Sequence, residues 1–166
     1  MFEWNHRNEI EANLFNPPFL SFLCYETVKG YENISESEAP FVLPFLVIPF
    51  VLSKEIREKI PKTKKTKFIP WVAKEENSFL KVGYEQRIKA FTPYVREAIM
   101  FAYYMELMDF SKKGNLKVKK KLESYIDRED LTEEVKDCIK KAKFCGEWFA
   151  STGSISTVMV FLGVRP

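Results

Sequence analysis

The side chains able to do chemistry are few in this chain of 166 residues. His6 is the single histidine, and it stands beside Trp4 and Arg7 near the start. The thiols are Cys24, Cys138 and Cys145. A zinc site of the usual kind takes four Cys or His ligands and would consume all of these residues together. A Cys-His or Ser-His nucleophile would have to recruit the same histidine. A hydrolase built on Cys24 or His6 is therefore the weakest reading. Neither G-x-x-x-x-G-K-[ST] nor G-x-G-x-x-G occurs, so no nucleotide is held in those ways. Glu97 follows a proline at a helix start, where its charge favours the helix dipole, and no second carboxylate is spaced to form an acid/base pair with it. The inventory argues against an enzyme and implies no cofactor or metal.

The residues that remain are charged and apolar, and both sets are clustered. Residues 1–40 carry a net charge of −5, residues 54–67 carry +5, and residues 111–121 carry six lysines and no acid. Basic patches of this kind are the footprint of a polyanion. The candidate nucleic-acid contacts are Lys112, Lys113, Lys117, Lys119, Lys120 and Lys121. Lysine without interleaved arginine or aromatics argues against base readout or a single-strand stacking platform, leaving non-specific phosphate contact or a solvated face.

The elements that must position these residues are mostly helical. Asn16 is an N-cap with Pro17 at the first helical position, and a helix over residues 17–30 follows with Gly30 as its stop. Residues 9–14 repeat the helical pattern. Residues 41–52 form an apolar run too short to span a bilayer, and Pro44 and Pro49 favour a buried helix over a strand. Short helices over residues 53–60 and near Trp71 flank a basic connector, residues 62–67. Ser78 is expected to cap a helix over residues 79–90, and Thr92-Pro93 to restart the chain into a central helix over residues 94–107. Around Gly114-Asn115, Leu116 and Val118 alternate with lysines, which predicts a β-hairpin over residues 107–119. Asp130 to Glu133 has capping-box spacing, and Val135, Cys138, Ile139, Ala142, Cys145, Gly146 and Phe149 recur with helical period. Gly153 ends that helix, and Ser154 caps a last one through Phe161.

The fold class expected is mainly α, a winged-helix-like domain over residues 1–166 with one small basic hairpin. An acidic, non-apolar start and three unpaired thiols point to the cytoplasm. Gly146 permits close approach of another helix, and Phe149 is core. Trp148 lies off the apolar stripe, at the core rim or as an anchor for a partner. The tail, residues 162–166 with Leu162, Val164 and Arg165, is too apolar for a frayed end, so it docks on something. Arg165 either pairs with an acid of its own chain or reaches a partner.

Several segments together resemble the middle components of ABC three-component systems. They are residues 13–19 (NLFNPPF), Lys29-Gly30-Tyr31, residues 46–52 (LVIPFVL), residues 91–98 (FTPYVREA) and, most specifically, residues 142–150 (AKFCGEWFA) with the closing LGVRP. Cys145 stands where that family has an aliphatic, and Glu147 where it has a base. The resemblance implies a small adaptor from a bacterial anti-phage cassette similar to Lamassu, placed between an SMC-like ABC ATPase and an effector. Its partner-binding residues would be Trp148, Glu147, Arg165, Val164 and Leu162. The alternative is a stand-alone, non-specific DNA-binding winged helix working through its lysine wing.

Overall fold

A computed structural model describes residues 15–122 and 131–165. The expected helix over residues 9–14, His6 and the Asp130 end of the capping box lie outside the described residues.

Helix α1, Pro17–Ser35, is opened as its sequence demands. The Asn16 side chain accepts from the Phe19 amide, and Pro17 occupies the first turn, where no backbone amide is missed. Leu20, Leu23, Cys24, Tyr25 and Val28 are all fully buried, and burial continues around most faces of the helix. The helix runs through Gly30, which is not its stop. It closes at Glu36, a non-glycine residue at φ 53°.

Helix α2, Leu43–Leu52, is the proline-opened buried helix anticipated for the apolar run. Pro49 sits inside it and withdraws one amide from the ladder. Two outside groups bond its carbonyls: the Tyr84 hydroxyl donates to Leu46 O and the Arg57 guanidinium to Val51 O. Short helices α3, Lys54–Lys59, and α4, Phe68–Val72, flank the basic connector. Ser53 precedes α3 without a side-chain capping bond.

The next region differs from expectation. Ser78 lies within a 3-10 turn, Glu75–Leu80, and Gly83 at φ 69° opens one long helix α5, Tyr84–Tyr104. Thr92-Pro93 does not restart the chain. The helix tolerates Pro93 because Lys89 and Pro93 both face solvent, where water can take the carbonyl the proline leaves unbonded. The Thr92 hydroxyl turns back to donate to Ile88 O instead of capping a new helix. Nor is the second half of α5 central. It buries one stripe, Val95, Ala98, Ile99 and Ala102, and exposes Met100, Tyr103, Tyr104 and Met105. Burial around most of the helix belongs instead to α1 and α2.

The hairpin forms as its alternation predicts. β1, Met108–Phe110, pairs antiparallel with β2, Leu116–Val118, with Asp109 opposite Lys117. Ala39 bridges to the outer edge of Leu116, and a Glu32 carboxylate oxygen accepts the Val118 amide at 3.1 Å, so β2 is laced to α1. Helix α6, Glu133–Ala150, starts two residues later than the capping-box spacing placed it: its N-cap is Thr132, whose hydroxyl accepts from the Val135 amide. Helix α7, Ile155–Phe161, is capped by Ser154 in the same way.

The packing centre is the crossing of α1 and α6. Gly30 lies against the Lys143 carbonyl, and Gly146 against the Thr27 carbonyl; a Cβ at either position would sit deep inside contact with backbone. The two glycines belong to separate sequence motifs, KGY and CGEW, that meet in one place. Gly30, expected to end a helix, instead lets another helix approach. The buried side chains around this crossing form one continuous apolar cluster.

Candidate partner interface

The C-terminal residues expected to meet a partner are built into the protein's own structure. Trp148 is only 1% exposed, and its indole Nε1 donates to Thr66 O at 2.7 Å. Phe68 and Trp71 meet its ring edge-on at 5.1 and 5.0 Å between centroids, and Phe144 packs beside it. Trp148 is therefore a core residue that fastens the connector, because α4 folds back over the flank of α6 that the apolar stripe does not cover. Glu147 beside it pairs with Lys64 at 2.7 Å. Lys141, one and a half turns earlier on α6, donates to Ile60 O at 2.9 Å. Lys141, Glu147 and Trp148, spread over about two turns of α6, thus hold the connector and the residues just before it against the body.

The tail docks on its own chain as well. Leu162 and Val164 are buried, and Gly163 at φ 73° turns the chain so that the Val164 amide donates back to Met159 O at 2.9 Å. Gly163 comes to rest near Lys81. Of Leu162, Val164 and Arg165, only Arg165 remains exposed. Its charge helps, after Lys89, to hold the Glu85 carboxyl below its ordinary range.

All three thiols are buried and unpaired. Burial pushes Cys138 up to about 11 and Cys145 up to about 12, and raises Cys24 as well. A thiol so placed offers almost no thiolate at neutral pH, so none is a nucleophile in this setting. Among the described residues no group of three or more His, Cys, Asp or Glu is placed to hold a metal ion. No helix among them is long and apolar enough to cross a membrane.

Two surface features remain, and only the second was legible in the sequence. The first is an apolar cavity of about 870 Å³ between the start of α1, the middle and end of α5 and the first turns of α6. Phe19, Phe91, Phe101, Met105, Val135 and Ile139 line it. At one end Phe15 stacks on Tyr94 with ring centroids 4.3 Å apart. At the other end Arg57, itself buried, donates to Glu134 at 2.7 Å and Asp137 at 2.9 Å, tying α3 to α6. The second feature is the hairpin surface. Lys119 pairs with Glu106 at 3.0 Å and Lys117 with Asp109 at 3.9 Å, two acids just outside the all-basic run. Lys112, Lys113, Lys120 and Lys121 are exposed and enter no ion pair among the described residues.

The geometry defines a mainly helical protein with one basic two-stranded hairpin and an apolar cavity between its helices. Residues 4–166 match the family described as ABC-three component (ABC-3C) system Middle Component 3, and the chain belongs to that family. No curated protein and no solved structure matches it.

Proposed function

We propose that this middle component is a non-enzymatic adaptor of one domain, residues 1–166, acting in the cytoplasm of a bacterium within an anti-phage system. It bridges an SMC-like ABC ATPase and an effector, with its hairpin in the place of a wing. The single observation that carries the reading is the apolar cavity walled by Phe19, Phe91, Phe101 and Met105, of a size and chemistry that suit an inserted apolar side chain or helix edge. Membership of a three-component family supports it, since a component acts with others. Interface residues dominated by aromatics and methionine contribute most when they enclose a partner's anchor. The residues first expected to make that contact, Trp148, Leu162 and Val164, support the assembly by holding the body rigid.

The test is co-expression with the neighbouring reading frames followed by gel filtration. The chain is expected to travel with the ATPase, and Met105→Glu, a 56% exposed position at the cavity, is expected to release it without unfolding it. Elution of the wild-type chain apart from both neighbours refutes the adaptor. A second reading, non-specific DNA contact through Lys112, Lys113, Lys117, Lys119, Lys120 and Lys121, draws on the exposed lysines of the hairpin. Replacing Lys117, Lys119, Lys120 and Lys121 with Ala separates the two: assembly survives under the first and DNA affinity is lost under the second.

A further inference from the structure

The lysine runs hold no aromatic in sequence, but the fold brings four rings to the hairpin. Phe41, Phe110, Tyr103 and Tyr104 form a row, with successive centroids 6.2, 5.6 and 6.0 Å apart. Tyr104 is 74% exposed, and Phe41 and Tyr103 are about two-fifths exposed. Lysines flank the row on both sides. Lys112 and Lys113 follow Phe110 by two and three residues, within about 7–11 Å of chain. On the other side the Lys119 and Lys120 amides both donate to Leu107 O, which places residues 119–121 beside the end of α5 that carries the tyrosines. Six lysines here meet Glu106, Asp109 and, from α1, Glu32, whose carboxyl accepts the Val118 amide, so lysines still outnumber these acids.

We propose that this ring row and its flanking lysines form a binding platform for single-stranded nucleic acid, with bases stacking on Tyr104 and Tyr103 and phosphates meeting Lys112, Lys113, Lys120 and Lys121. Duplex DNA would engage the lysines but leaves the rings idle, because its bases are already stacked on one another. Exposed flat rings beside unpaired ammonium groups are the combination that sequence-tolerant single-strand binding uses. The occupant goes beyond the non-specific duplex contact considered above, and it does not depend on the apolar cavity.

The experiment uses the full chain and three fluorescein-labelled probes of equal length: oligo-dT, oligo-rU and a DNA duplex. Anisotropy titrations are expected to show dT or rU, or both, binding more tightly than duplex. The relative strength of dT and rU identifies DNA or RNA as the source. Four neutralising lysines give a salt slope near −3 for a single strand, by about −0.7 per phosphate contact. Tyr104→Ala is expected to weaken single-strand binding about tenfold and leave duplex binding unchanged, whereas Tyr104→Phe keeps the affinity. Duplex binding as tight as single-strand binding, no binding to dT or rU, or equal affinity of Tyr104→Ala and wild type for the single strands overturns the platform. Co-elution with the ATPase is a separate readout, so the adaptor can stand or fall independently.

Discussion

Replacing Gly146 with Ala sets two physical effects of opposite sign against each other. Gly146 lies in the interior of α6, where an exposed Gly→Ala change stabilises a helix by about 1 kcal/mol. At this position the new Cβ would be driven into the Thr27 carbonyl of α1, with the Tyr31 amide 3.0 Å away. Neither obstacle is a flexible side-chain end; both are helical backbone. The helices must part by about 1 Å, and a gap of that size forfeits roughly a quarter to a half of each dispersion contact across the crossing. Overpacking of this kind costs about 1–3 kcal/mol, and backbone against backbone places it at the upper end. The net expectation is a loss of about 2–3 kcal/mol out of the roughly 5–15 kcal/mol that holds a domain together. With a urea m-value of about 2 kcal/mol/M, the midpoint falls by about 1–1.5 M. Urea titration followed by far-UV circular dichroism and by the fluorescence of buried Trp71 and Trp148 measures it. Gly30→Ala is expected to behave alike, and the double variant to lose much less than the two losses added, since one separation of the helices accommodates both methyls. A Gly146→Ala protein as stable as wild type, or more stable, would show that helix propensity outweighs contact and that the crossing is not close-packed.

Two further outcomes follow from burial. The Glu32 carboxyl is raised by desolvation against the bond from the Val118 amide, which pulls it down, so the folded protein holds this proton more tightly than the unfolded chain. Its contribution to stability is most favourable below the ordinary carboxylate range and declines as pH rises through the raised value. Glu32→Gln, whose amide oxygen can still accept from Val118, should therefore match wild type in acid and gain on it toward pH 7 in urea titrations; a constant difference across pH 4–7 would refute this. The thiols Cys24, Cys138 and Cys145 should resist a disulfide reagent at pH 8 in the folded protein and react at all three positions in 8 M urea (about that strength, several-fold beyond a usual midpoint). Rapid labelling of the folded protein would contradict their burial.

Much of the fold was readable because its signals are local. Asn16-Pro17 and Ser154 each mark a helix start through bonds that span three residues, and the alternation around Gly114-Asn115 marks a hairpin that closes within a dozen residues. Misreadings arose where distant chain decides. Gly30 has the signature of a helix stop, but Lys143 across the crossing gives it another task. Thr92-Pro93 has the signature of a helix start, but exposure of Lys89 and Pro93 lets one helix continue. Trp148 lies off the apolar stripe of its own helix, and it took Phe68, Trp71 and Thr66 from another segment to cover it.

The amino-acid sequence by itself determined that the protein is mainly helical, where several of its helices begin, that its thiols are buried in apolar stripes, and which family it resembles; those properties rest on composition and on spacings of a few residues. Only the tertiary structure decided that Leu162 and Val164 of the apolar tail are buried against their own chain, that an apolar cavity opens between α1, α5 and α6, and that four aromatic rings gather beside the lysine hairpin. Surfaces are made by residues far apart along the chain, and which of them end up side by side depends on how closely the helices can cross. Here that distance is governed by two hydrogens, one on Gly30 and one on Gly146.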